Sequence, residues 1–87
     1  MIKIIDFYAD WCGPCHMMDP IIKEVEKELG DKVKFEKVDV DAEQEKSQKY
    51  EVLSIPTFVI LKNDKEVDRI VGARGKSQFK QIIEAHL

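Results

Sequence analysis

Only two cysteines, one tryptophan, four glycines and three prolines occur among the 87 residues, and these scarcities narrow the classes open to the chain. Two cysteines cannot build the framework of bridges that holds small secreted domains together. With both in one short motif, none is left for structure, which favours a reducing compartment; cytoplasm is the expectation. No apolar run approaches the ~20 residues that a membrane-spanning helix needs. Lys and Arg total 14 against 17 Asp and Glu, a net charge of −3 with the signs interspersed. There is therefore no basic stripe for nucleic acid and no polybasic segment for a membrane surface. Linkers, repeats and low-complexity stretches are also lacking. Eighty-seven residues with 44% apolar content suit one small core, which buries about 60–65% of the unfolded chain's surface. A single domain over residues 1–87 is expected.

What the chain does have is Trp11-Cys12-Gly13-Pro14-Cys15, two thiols set two residues apart where an apolar strand gives way to a helix. Residues three apart at a helix start lie one turn apart on one face, close enough for their sulfurs to bond without moving the backbone. The first thiol also meets unpaired backbone N–H groups and the positive end of the helix dipole, which favour the attacking thiolate. Reversible disulfide exchange is the chemistry this arrangement serves, with Cys12 as exposed nucleophile and Cys15, pointing into the first turn, as resolving thiol. Three other readings compete. A zinc site needs four ligands, and beyond the two cysteines the chain offers only His16 and His86, at no usual spacing. Cys12-Gly13-Pro14-Cys15-His16 also matches the c-type haem attachment pattern. That reading requires export, and no basic, apolar, small-residue leader is evident; His16 reads instead as an exposed helix residue. The last alternative is a pair of buried structural thiols.

Asp6 is the second informative residue. A carboxylate inside Ile4-Ile5-Asp6-Phe7 pays a desolvation penalty that a surface Asp would not, so its pKa is expected to be raised.

The remaining pattern alternates strand and helix. Ile2 to Tyr8 is a near-continuous apolar strand, as expected when both faces are covered. From Pro14 to Leu29, Met17, Met18, Ile21, Ile22, Val25 and Leu29 form an apolar stripe opposite Lys23, Glu24, Lys27 and Glu28. Both methionines read as core filling, Pro20 as a kink and Gly30 as the C-terminal cap. Val33 to Val40 is a second strand, followed by a short polar helix capped by Asp41, with Gln44 at the capping-box position, and running to about Tyr50. Thr57 to Leu61 and Glu66 to Val71 flank a turn at Asn63-Asp64-Lys65. A final helix docks through Phe79, Ile82, Ile83 and Leu87. The order β-α-β-α-β-β-α implies an α/β fold, a four-stranded mixed sheet with helices on both faces.

The run Ile4-Ile5-Asp6-Phe7-Tyr8-Ala9-Asp10-Trp11-Cys12-Gly13-Pro14-Cys15 resembles the active-site strand and turn of thioredoxins, and the likeness continues to the end of the chain. Pro20 stands where the family has its helix-kinking proline, Lys37-Val38-Asp39-Val40-Asp41 resembles the next strand, Ser54-Ile55-Pro56-Thr57 the proline loop and Val71-Gly72-Ala73 a further motif. The resemblance implies a thioredoxin-like fold and a protein-disulfide reductase with no cofactor beyond a Cys12/Cys15 redox disulfide. It further implies that Asp6 assists proton removal from Cys15 through water, that Lys37 pairs with Asp6 and tunes it, and that Ile55-Pro56 is cis. Trp11, Gly13, Pro14, Ile55, Pro56, Gly72 and Ala73 are then the residues that dock substrate. Expected partners are disulfide-containing proteins and a thioredoxin-reductase-type enzyme. The Gly-Pro insert resembles that of the reducing members; an oxidase or isomerase, or a non-catalytic binding subunit in which Arg74 supplies a charged contact, are the rival readings.

The departures from the family pattern are Tyr8, His16, Asp64, Arg74-Gly75 and the start at Met1, since relatives usually carry a further strand and helix ahead of this point. The Val33–Asp39 strand is then expected to be an edge, kept monomeric by Lys34, Glu36 and Lys37.

Overall fold

A computed structural model describes residues 1–87, in which seven regular elements follow one another along the chain, with one 3₁₀ turn. They are β1 (Ile2–Tyr8), α1 (Gly13–Leu29), a 3₁₀ turn at Gly30–Lys32, β2 (Val33–Asp39), α2 (Gln44–Lys49), β3 (Thr57–Lys62), β4 (Lys65–Val71) and α3 (Lys76–Glu84). The sheet order is β2-β1-β3-β4, with β1 parallel to β2 and antiparallel to β3, and β3 antiparallel to β4. The mixed four-stranded sheet is the expected one, and β2 is an edge.

Side-chain alternation along β1 divides the core. Ile2 and Ile4 face α1 and α3, where Met18, Ile22, Val25, Leu29, Val33, Phe58, Ile60, Ile70, Phe79 and Ile83 complete the larger apolar cluster. Ile5 and Phe7 face the other way and pack with Val38, Val59 and Leu61 beneath Val40, Tyr50 and Val52. Phe79 joins the layers by meeting Phe58 edge-on, with ring centroids 4.9 Å apart. Asp6 has the parity of Ile2 and Ile4, so its carboxyl is directed under α1 and buried there.

Helix α1 starts at Gly13, with Pro14 in its first turn, and ends at Gly30, whose φ of 57° is a left-handed conformation that few other residues adopt cheaply. Pro20 sits inside it.

Three local expectations fail. Met18 is buried, but Met17 is 68% exposed, because the stripe that includes Cys15, Met18, Ile22 and Val25 leaves the intervening Met on the outer side. Leu87 lies beyond the end of α3 and is half exposed, so Phe79 and Ile83 carry the docking. Asp41 does not cap α2. Instead Asp39 Oδ1 accepts from the Asp41 N–H at 2.9 Å and from the Ala42 N–H, tying down the approach to a helix with no side-chain cap and no buried residue.

Candidate active site

The dithiol sits where β1 runs into α1. Cys12 is the N-cap, with extended backbone angles, and its Sγ accepts from the Cys15 N–H at 3.2 Å. The Cys12 N–H donates to the Ala9 carbonyl at 3.1 Å, which closes the turn. The two cysteines are joined as a disulfide with Cα atoms 5.3 Å apart, the separation that a one-turn offset provides. The burial of Cys15 is as expected; that of Cys12 is not. Cys12 and Cys15 are 5% and 4% exposed, packed with Ala9 and against Tyr8, Val40 and Ile55, so the oxidised pair is closed and its asymmetry lies in hydrogen bonding.

Two loops border the pair. The Ile55–Pro56 peptide is cis, as the resemblance implied, and Thr57 Oγ1 donates to the Ser54 carbonyl at 2.6 Å. The Gly72 N–H donates to the Pro56 carbonyl at 2.8 Å, which locks the β4–α3 loop to the proline loop. Gly72 has φ of 91°, and the Arg74 guanidinium lies against it, with Nη1 donating to the Val71 and Ala73 carbonyls at 2.9 and 3.0 Å. Trp11 stands 71% exposed on the far side, its Nε1–H held by Asp41 Oδ2 at 2.8 Å. Between Trp11 and Ile55 runs a shallow groove floored by Val40 and Val52 and flanked by the fully exposed Leu53.

On β1, the strand that runs into the dithiol, Asp6 is 3% exposed and opens onto a cleft of about 290 Å³ lined also by Asp19, Ile22, Lys23, Glu26, Phe35 and Lys37. Burial pushes its pKa from 3.8 up to about 6; the Lys37 ammonium pulls the other way, and the Asp19 carboxylate adds to the rise. Lys37 lies beside Asp6 in the β1–β2 register, but its ammonium is not paired with Asp6. It donates to Asp19 Oδ1 at 3.3 Å and sits 4.5 Å from the centroid of the Tyr8 ring. The direct Asp6–Lys37 pair is therefore corrected: α1 brings a competing carboxylate over the strand. His16 is exposed as expected; its Nε2 lies 2.5 Å from the Asp10 carbonyl oxygen and its Nδ1 3.5 Å from Asp19 Oδ2, and the carbonyl contact foremost raises its pKa.

Sequence reasoning thus missed Asp19, Asp41 and the Val40–Val52–Leu53 groove. Asp19 reads as one more charge on the polar face of α1, and only the crossing of α1 over β2 brings it to Lys37. Leu53 does carry a signal, a large apolar residue immediately ahead of Ser54-Ile55-Pro56. No group of three or more His, Cys, Asp or Glu is placed to hold a metal ion, and no helix is long and apolar enough to cross a membrane.

The family model "Thioredoxin" matches residues 1–85. The thioredoxin of Bacillus subtilis is 43% identical over 86 residues, covering 99% of this chain and 83% of that protein; that of Staphylococcus epidermidis is 38% identical over the same shares. Among solved structures, thioredoxin from Fasciola hepatica superposes with a TM-score of 0.91 at 42% identity, covering 99% of this chain and 81% of its own. Oxidised mitochondrial thioredoxin 3 from Saccharomyces cerevisiae gives 0.89 at 37% identity, with coverage of 97% and 77%. With the Cys12–Cys15 pair in place at the N-terminus of α1, these matches show that the chain belongs to the thioredoxin family and reduces protein disulfides through that dithiol.

Proposed function

We propose that Cys12 is the attacking thiol, Cys15 the resolving thiol and Asp6 the base that serves Cys15, within a single domain spanning residues 1–87. The Cys12 thiolate attacks one sulfur of a substrate disulfide; the substrate S–S bond breaks, a mixed disulfide forms and one substrate thiolate leaves. Asp6 takes the Cys15 proton, directly or through a water, and the Cys15 thiolate attacks Cys12 Sγ. The Cys12–Cys15 bond forms, the second substrate thiolate leaves, and two electrons have passed to the substrate. A thioredoxin-reductase-type enzyme returns them. Trp11, Gly13, Pro14, Ile55, Pro56, Gly72 and Ala73 dock the substrate segment, with Ile55 offering its backbone as a partner strand. Lys37 moderates the acidity of Asp6. The setting is cytoplasmic electron transfer by a monomer.

The observation that carries the division of labour is the Cys15 N–H donated to Cys12 Sγ. That bond stabilises negative charge on Cys12 and offers nothing equivalent to Cys15. On the strand that leads into the pair, the buried Asp6 carboxyl, with its pKa near 6, can both accept and release a proton at neutral pH, as a general base must. The experiment is trapping. Cys15→Ser is expected to accumulate a mixed disulfide with a cystine-containing protein, and Cys12→Ser to accumulate none. Equal trapping by the two variants overturns the assignment. Full activity of a Cys12→Ala/Cys15→Ala double variant would favour the binding-subunit reading instead.

A further inference from the structure

Asp19 is the most connected charge at the rim of the Asp6 cleft. Its Oδ1 takes the Lys37 ammonium at 3.3 Å, and its Oδ2 stands 3.5 Å from His16 Nδ1. The other ring nitrogen of that histidine is fixed on the Asp10 carbonyl. Lys37 is consequently held between a carboxylate and the face of Tyr8, although the β1–β2 register sets it beside Asp6. We propose that Asp19 is a positioning residue for disulfide exchange: by anchoring the Lys37 ammonium at the mouth of the cleft it keeps that cation from pairing with the Asp6 carboxyl, which stays free to take and release the proton of Cys15. The inference rests on Asp6 being the base for Cys15.

The electrostatics run in one direction. An ammonium paired directly with a buried carboxylate stabilises its charged form strongly, because little water screens the pair, and would make Asp6 a poor proton acceptor near neutral pH. Asp19 diverts that ammonium and adds a like charge, and both effects favour protonated Asp6; the opposed influences of Lys37 and Asp19 on Asp6 have these signs. The other charges facing the cleft are Lys23 and Glu26, both from α1 and opposite in sign, with His16 one turn before Asp19. The rest of the wall is Ile22 and Phe35, with Phe58 beside Asp6 in the β1–β3 register.

The test is the titration of the Asp6 carboxyl carbon by NMR, in oxidised protein with labelled aspartate, between pH 4 and 8. Asp19→Asn is expected to move the Asp6 midpoint down by about 0.5–1 pH unit, and Asp19→Glu to restore it. In a Lys37→Met background the same Asn substitution is expected to produce less than half that movement. A midpoint unmoved by Asp19→Asn, or a movement of equal size with and without Lys37, overturns the proposal. The pH profile of mixed-disulfide resolution, measured on the same variants, is expected to move with the midpoint. A midpoint that moves while the profile stays fixed overturns the base assignment for Asp6, and with it the role of Asp19 in exchange, while the NMR result separately retains the contact.

Discussion

Replacing Asp6 with Asn is expected to stabilise this protein at neutral pH while slowing the resolution of the mixed disulfide. The amide has nearly the shape of a protonated carboxyl and carries no charge, so it fits the cleft under α1 without the desolvation penalty. The magnitude follows from linkage. Asp6 has a pKa raised on folding, from 3.8 to about 6, so the folded state binds the proton more tightly than the unfolded chain does. Below pH 4 both states are protonated and the carboxyl costs nothing. As pH rises, the unfolded chain ionises first and gains free energy that the folded state cannot match, until the folded carboxyl ionises as well. The penalty therefore grows between about pH 4 and pH 6 and is constant above. At 1.36 kcal/mol per pH unit, the rise from 3.8 to about 6 comes to about 3 kcal/mol. Guanidinium unfolding of the oxidised parent and Asp6→Asn, from pH 3.5 to 8, is the assay. The stability difference is expected to be small at pH 3.5 and to reach about 2–3 kcal/mol in favour of Asn by pH 7.5. A difference independent of pH, or a parent more stable than the variant at pH 7.5, would refute the reasoning.

Met18→Ala is expected to cost about 2–5 kcal/mol in denaturant unfolding, whereas Met17→Ala, on an exposed side chain, should stay within about 0.5 kcal/mol. Asn63 and Asp64 both hold positive φ, 53° and 67°, across the two-residue β3–β4 turn. Asp64→Gly should therefore raise stability by about 0.5–1 kcal/mol in the same assay, because glycine occupies that region without the side-chain clash. The outward N–H groups of edge strand β2 should exchange with solvent faster than those of β3, which is paired on both sides, and sedimentation of the 87-residue chain should give a monomer over a concentration series. Uniform protection of β2, or a dimer paired through it, would contradict this.

The fold was legible because its local signals agree. The apolar β1, the stripe from Met18 to Leu29, Gly30 at the end of α1 and the Asn63-Asp64 turn each specify their own element. The phase of α1 was legible only in part. Both methionines fall on one broad stripe with Ile21 and Ile22, although only Met18 keeps helical spacing with all of Cys15, Ile22, Val25 and Leu29, the narrower face that packs on β1. The candidate site was legible as far as residues close in sequence reach. Cys12, Cys15 and the buried Asp6 all lie within one strand-to-helix passage, whereas the Asp19–Lys37 contact spans 18 positions and exists only because α1 crosses β2. The equal burial of the two cysteines was hidden for a related reason, since the groups that cover Cys12, among them Val40 and Ile55, arrive from distant segments.

An ionised carboxylate in the wall of a small core is otherwise a liability. About 3 kcal/mol is a large fraction of the 5–15 kcal/mol by which domains are stable. Nothing in the packing demands it, for an apolar or amide side chain would fill the same space between Ile22 and Phe35. On the proposed role of Asp6 as the base for Cys15, what the charge confers is chemical. A surface aspartate, with its pKa near 4, is too weak a base to draw a proton from a thiol at neutral pH, and a lysine-paired one is weaker still. Burial raises the basicity and costs stability through one and the same free-energy difference, so neither can be had alone. It follows that stabilising substitutions at this cleft, whether they neutralise Asp6 or bring Lys37 onto it, should slow the release of substrate from the mixed disulfide. Stabilising substitutions at the β3–β4 turn, at the opposite end of β3 from Pro56, should leave that step unchanged.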